Sequence, residues 1–152
     1  MSTSPIPPSA EPIYRSRLKT ERWQALYVQI LKHVTEARRY RDPQCTAARM
    51  AKELNTNTQY VSIAVANATG GNFKALVNRL RLRDACRMLT SPRHARLTAE
   101  EIGLLAGFSS RQAFYLAFHR HYACTPKQYR KAAGTEATDK TSGKAEDDTP
   151  QS

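Results

Sequence analysis

The stretch from Leu97 to Arg130, LTAEEIGLLAGFSSRQAFYLAFHRHYACTPKQYR, constrains the fold of this chain more than any other. It reads as a helix, a glycine turn, a second amphipathic helix and a capped third. Thr98-Ala99-Glu100-Glu101 is a capping box: the threonine oxygen can accept from the third helical amide while Glu101 reaches back to the threonine amide. Thr125-Pro126 opens the last helix with a cap followed by proline at its first position. Gly103 is small where two helices cross, Gly107 permits a positive φ in the turn, and Phe108, Phe114 and Phe118 supply the buried back of the next helix. A short helix, a tight turn and a helix with a polar outer face form the unit that places side chains in a DNA major groove.

A fainter copy lies 52 residues upstream, where Met50-Ala51-Lys52-Glu53-Leu54-Asn55 parallels Ile102-Gly103-Leu104-Leu105-Ala106-Gly107. Thr46 can cap its first helix, Asn55 tolerates a left-handed turn, and the helix from about Thr58 to Thr69 ends at Gly70-Gly71. Between the two copies, Phe73, Leu76, Val77, Leu80, Met88 and Leu89 mark a longer helix from about Asn72 to Thr90, crowded with Arg79, Arg81, Arg83 and Arg87. Upstream, Leu18, Trp23, Leu26, Tyr27, Ile30, Leu31 and Val34 predict an amphipathic helix from Arg17 to about Tyr40, with Asp42-Pro43 beyond it. The Pro/Ser-rich residues 1–13 and the polar residues 133–152 lack large apolar side chains enough to offset chain entropy and are expected to be disordered tails. The fold class expected is all-α, with about seven helices: a first helix-turn-helix at 46–69, a linker helix at 72–90 and a second helix-turn-helix at 98–121, within one domain spanning 14–132.

The charge sits on the foldable part. Residues 14–132 carry 22 Lys+Arg against 7 Asp+Glu, in a chain of net charge +11. Such clustering suits a polyanion, because each neutralised phosphate releases condensed counterions. Charge alone would not separate DNA from RNA or an anionic membrane. Cys45, Cys86 and Cys124 are odd in number and far apart, which predicts no disulfide framework and no zinc site; free thiols fit a reducing compartment, and for Cys45 and Cys86 a buried small hydrophobe fits better than a redox sensor. His119 and His121 lie two apart, hence on different helical faces, with no carboxylate or thiol spaced to complete a metal site. No Ser/His/Asp set, phosphate-binding glycine loop or paired-carboxylate site is present, so no enzymatic activity and no cofactor are expected. No signal peptide and no run of 18 apolar residues appear, so a cytoplasmic, nucleoid-associated bacterial protein with no membrane partner is expected.

The outer face of the second unit offers Ser109, Ser110, Arg111, Gln112, Tyr115 and, one step round, Leu116 and His119, with Arg120 and Lys127 nearby. Arg and Gln can each make two hydrogen bonds to a purine edge, Arg preferring guanine and Gln adenine, and each such pair discriminates by about 1 to 3 kcal/mol. In the first unit Gln59 answers Gln112, Ser62 answers Tyr115 and Ile63 answers Leu116. Its face is nearly uncharged: Ile63, Ala64, Ala66 and Asn67 offer thymine methyls and sugars a contact but grip phosphate weakly. The plainer alternative is a packing element that only looks like a reader.

From Thr46 to Arg130 the chain resembles the DNA-binding domain of AraC-type transcriptional regulators. The signature half is Ile102-Gly103-x-x-Ala106-Gly107-Phe108-Ser109-Ser110, then Phe114, Phe118, Tyr122 and Thr125-Pro126-x-x-Tyr129-Arg130. Asn72-Phe73, Asn78-Arg79-x-Arg81 and Ala85 fit the linker helix, and Tyr14-Arg15-Ser16-Arg17-Leu18 with Tyr40-Arg41-Asp42-Pro43 resemble a subgroup whose module follows a membrane-spanning or sensory region. The resemblance implies tandem helix-turn-helix units whose third and sixth helices enter successive major grooves of double-stranded DNA. It assigns DNA contact to Asn57, Thr58, Gln59, Ser62 and Ile63, and to Ser109, Ser110, Arg111, Gln112, Tyr115 and Leu116. Three departures stand out. Leu116 sits where many members have a basic residue, Ala123 replaces a glycine after the sixth helix, which implies a slightly strained helix end, and Gly103 replaces a commoner alanine.

The N-terminal residues are too few for an effector domain, so a standalone module with no small-molecule effector is expected. A sequence-specific transcription regulator, with the linker setting its recognition helices roughly 34 Å apart, is the leading reading. One alternative is an interaction module docking RNA polymerase or a sensor protein while the second unit alone holds DNA weakly. Another is nonspecific nucleoid or RNA binding, which predicts steep salt dependence without sequence preference.

Overall fold

A computed structural model describes residues 11–141, and all regular structure in them is helical. In chain order the helices are α1 (Glu11–Thr35), α2 (Ala47–Glu53), α3 (Thr58–Thr69), α4 (Phe73–Leu89), α5 (Ala99–Ala106), α6 (Arg111–Tyr122) and α7 (Pro126–Thr141), with short 3-10 turns at Glu36–Arg41 and Pro92–His94. Of the tails expected at 1–13 and 133–152, residues 1–10 and 142–152 lie outside the described residues. The remainder corrects the expectation, since it is helical. Once Thr125 and Pro126 have nucleated α7, Ala132 and Ala133 extend it at little cost, and it runs on to Thr141.

The chain divides into two compact units, one comprising residues up to Arg39 with Gln44–Val77, the other Tyr40–Pro43 with the chain from Asn78 onward. In the first, α1 and α2 pack on α3. Its core is Ile30, Val34, Met50, Val61, Val65, Phe73 and Val77, all at most 3% exposed. Thr46 caps α2 by accepting from the Arg49 amide, Asn55 takes the left-handed turn at φ 56°, and Gly70 closes α3 at φ 80°. Helix α1 stops earlier than the expected limit near Tyr40, ahead of Asp42-Pro43. It ends at Thr35, and Ala37 and Arg38 adopt φ of 54° and 53°, a bend that hands Tyr40–Pro43 to the other unit.

In the second unit Leu82, Ala85, Met88, Leu89, Ala99, Ile102, Ala106, Phe108, Phe114 and Phe118 form one buried cluster. Gly103 lies where α5 crosses α6, so closely that a Cβ there would stand 2.3 Å from Cδ2 of Phe114. Gly107 has two reasons to be glycine: its φ is 114°, and a Cβ would come within 2.7 Å of the Arg41 Cα and the Tyr40 carbonyl oxygen. That second reason lies in the fold rather than in the turn.

Arg81, expected among the basic residues along the linker helix, is instead buried, at 8% exposure. Its Nε donates to the Tyr40 carbonyl at 2.6 Å, one terminal nitrogen donates to the Asp42 carbonyl at 2.9 Å, and its guanidinium lies 5.8 Å from the centre of the Phe108 ring. Buried Asp84 receives Arg41 Nε at 2.5 Å and also pairs with Arg87. Burial pushes its carboxyl upward, but the two guanidinium groups outweigh that and hold it below the usual aspartate value. Arg130 donates to the carbonyls of Leu89, His94 and Leu97, which ties α7 to the segment ahead of α5. Four arginines, Arg41, Arg81, Arg87 and Arg130, thus act as structural ties within this unit.

Candidate nucleic-acid interface

The second unit builds its outer face from the caps outward. Thr98 and Glu101 form the expected box, Thr98 Oγ1 accepting from the Glu101 amide at 3.1 Å and Glu101 Oε1 accepting from the Thr98 amide at 2.8 Å. Ser110 caps α6, its Oγ accepting from the Ala113 amide at 3.0 Å. That bond uses the hydroxyl as acceptor and leaves its O–H to donate outward, as a phosphate oxygen requires. Phe114 and Phe118 are fully buried behind the helix, so Ser109, Arg111, Gln112, Leu116, His119 and Arg120 are turned to solvent, Leu116 at 61% exposure.

Arg111 is exposed but held. Its Nε donates to Glu100 Oε2 at 3.1 Å, and its guanidinium carbon stands 4.5 Å from the centre of the Tyr115 ring one helical turn on. The same carboxylate oxygen accepts from the Tyr115 hydroxyl at 3.0 Å and lies 3.8 Å from Lys127 Nζ. Backbone hydrogen bonding at the start of α5, then Arg111, Tyr115 and Lys127, hold the Glu100 carboxyl down to about 2, burial opposing. Burial, followed by the bond to Glu100, pushes the Tyr115 hydroxyl up. Of the residues expected here, Arg111, Tyr115 and Lys127 are therefore gathered around a carboxylate that the sequence reading did not single out. A Glu beside a capping box reads locally as a helix-start residue; the sign of a second role was a lone acid pair at the head of a strongly basic segment.

In the first unit Asn57 caps α3, its Oδ1 accepting from the Tyr60 amide at 2.8 Å and leaving the amide N–H groups as donors. Thr58, Gln59, Ser62, Ala66 and Asn67 are exposed and Ile63 is half-buried. Ala64 is 1% exposed, which corrects its expected place on the contact face: it packs inward with Val61 and Val65. Tyr60 was missed. It is 37% exposed, edge-on to Trp23 of α1 at 5.4 Å, and the Arg22 guanidinium stands 5.7 Å from its ring centre. Helix α3 carries no charged residue of its own, so Arg22 is a cation that α1 brings to its first turn. Among the described residues no three His, Cys, Asp or Glu side chains are grouped to hold a metal, and no helix is long and apolar enough to cross a membrane.

The family description "Helix-turn-helix domain" matches residues 50–132, more than half of the chain. The chain belongs to the AraC-type helix-turn-helix family. It is a DNA-binding transcription regulator of that family. Among solved structures it is similar to the C-terminal domain of the two-component response regulator yesN from Fusobacterium nucleatum, at 27% identity and TM-score 0.61, over 70% of this chain and 98% of that one. It is similar also to the C-terminal domain of AraT, a response regulator from Geobacillus stearothermophilus, at 25% identity and TM-score 0.58, over 74% and 84%. A transcriptional regulator with an AraC-type DNA-binding domain from Chromobacterium violaceum shares the fold at 19% identity and TM-score 0.59, over 72% and 96%. No curated protein matches the chain.

Proposed function

We propose that this AraC-type chain regulates transcription by inserting α3 and α6 into successive major grooves of double-stranded DNA, with α6 supplying most of the sequence discrimination. The observation that carries the reading is the start of α6, where Arg111 and Gln112 stand side by side and exposed on a helix whose opposite face is sealed by Phe114 and Phe118. These are the two side chains best suited to two-point contacts with guanine and adenine. Ser109, Ser110, His119, Arg120 and Lys127 are cast as sugar and phosphate contacts that set its register. In α3, Gln59 and Ser62 face the bases, Ile63 offers an apolar edge, and Asn57 and Thr58 donate to phosphate at the helix start. Activity in the cytoplasm, on nucleoid DNA, belongs to the same proposal.

The test is a footprint on a duplex selected from a random pool, followed by Arg111→Ala. Protection over two adjacent major grooves is expected, and Arg111→Ala should weaken the selected site by about 1 to 3 kcal/mol and relax one base position. Equal loss on selected and random DNA would remove Arg111 as a base reader. A second reading is favoured by the uncharged α3 and by Leu104 and Leu105, which are 54% and 48% exposed on α5: a module that docks RNA polymerase or a sensor and holds DNA through α6 alone. One short protected patch, with Gln59 and Ser62 replaceable at no cost, is its signature.

A further inference from the structure

The contact between Glu100 and Arg111 leads with the wrong edge for simple neutralisation. A guanidinium meeting a carboxylate in its strongest mode offers two parallel N–H bonds, whereas here the contact runs through Nε, and Glu100 Oε2 is shared with the Tyr115 hydroxyl and approached by Lys127. The Tyr115 ring at 4.5 Å occupies one face of the guanidinium. One edge and one face of Arg111 are thereby engaged, and the edge formed by its two terminal nitrogens is left, which is the edge that meets the O6 and N7 of guanine end-on. The exposures agree: the Arg111 side chain is 63% exposed and that of Glu100 only 28%, so the carboxylate sits back and the guanidinium stands forward.

We propose that Glu100 is a specificity-determining positioning residue, which orients Arg111 toward a guanine edge and withholds its Nε from phosphates of arbitrary sequence. The inference rests on the reading of α6 given above. Two effects add. A tethered arginine has fewer orientations to lose on meeting the right base, and a carboxylate set close to the contact face repels phosphate wherever the bases behind it offer Arg111 no compensating bond. Both raise the ratio of specific to random binding rather than affinity as such. Glu100 reads no base itself.

The experiment measures that ratio on a duplex selected by the wild-type protein and on a random duplex of equal length, at one salt concentration. Glu100→Gln is expected to tighten random binding and to lower the ratio by about two- to fivefold, the range of an exposed ion pair. Glu101→Gln removes the same charge from the same helical turn while glutamine preserves the capping box, and it should leave the ratio unchanged. In an Arg111→Ala background, Glu100→Gln should have little further effect. An unchanged ratio in Glu100→Gln, an equal fall in Glu101→Gln, or an undiminished effect without Arg111 each overturns the proposal. If the wild-type protein itself fails to discriminate the two duplexes, the reading of α6 falls and this inference with it; discrimination that survives Glu100→Gln removes the inference alone.

Discussion

Replacing Gly103 by alanine sets two opposed terms against each other. Alanine in a helix interior gains about 1 kcal/mol over glycine. Against that, the new methyl would lie 2.3, 2.5 and 2.9 Å from Cδ2, Cγ and Cε2 of Phe114, where carbon atoms prefer about 3.5 to 4.0 Å. The ring cannot turn aside, because Cγ is itself overlapped and sits on the axis of rotation. Nor can it retreat easily: Phe114 is fully buried, with Phe108 at 5.2 Å and Phe118 at 5.7 Å between ring centres. Overpacking costs about 1 to 3 kcal/mol, and the severity of this overlap puts it at the upper end. The net expectation is a loss of about 1 to 2 kcal/mol, a fall in melting temperature of about 4 to 8 °C for a domain this size. Urea unfolding followed by far-UV circular dichroism measures it through the midpoint at unchanged slope. In a Phe114→Leu background, where the ring is gone, the same substitution should become neutral or stabilising. A Gly103→Ala variant more stable than wild type with Phe114 in place would refute the argument. The resemblance to family members with alanine here makes the test pointed, since it predicts that Gly103 and Phe114 are matched to each other in this chain.

Three further outcomes are expected. Gly107→Ala should cost more than Gly103→Ala in the same melts, since its φ of 114° is strained for alanine and the methyl would meet backbone, which cannot step aside. Ala123, at the C-terminal cap of α6, holds φ 60°; Ala123→Gly should relieve about 1 to 2 kcal/mol of left-handed strain and return part of it as unfolded-chain entropy, for a net gain of about 0.5 to 1 kcal/mol. Asp84→Asn should destabilise by about 2 kcal/mol at neutral pH, less than a fully buried pair because Arg41 and Arg87 keep some solvent. The folded carboxyl of Asp84 titrates below its ordinary value of 3.8, so its contribution is complete well above that pH and is lost as pH falls past 3.8 through the folded value. Wild type should therefore lose its advantage over Asp84→Asn on acidification, and a difference constant from pH 7 to pH 2 would contradict the pairing.

The limits of the helices around the two turns could be read from local chemistry. Thr46, Thr98 and Thr125 cap where a hydroxyl before a helical run should cap, and Gln128 returns a bond to the Thr125 amide at 2.9 Å as Glu101 does to Thr98. Asn55, Gly70 and Gly107 hold the positive φ that their side chains, or lack of one, permit. The end of α1 was not readable in that way, because the first stop signal after Val34 is Asp42-Pro43, while the left-handed φ falls on Ala37 and Arg38, whose side chains give no local sign of it. Ala64 was misplaced for a related reason: a small residue fits either face of a helix, and only the packing of α1 and α2 on α3 settles which.

Residue types, spacing and charge were enough to establish an all-helical chain, its capped boundaries, the glycine turns and the exposed Arg111-Gln112 pair, because each depends on groups within a few residues of one another. Tertiary structure alone decided what the charged side chains are for. It put Arg81 and Arg130 onto backbone carbonyls, paired Asp84 with Arg41 from 43 residues away, and set Glu100 behind Arg111. A linear pattern counts charges, but whether an arginine faces solvent, a carbonyl or a carboxylate depends on which elements come to lie beside it.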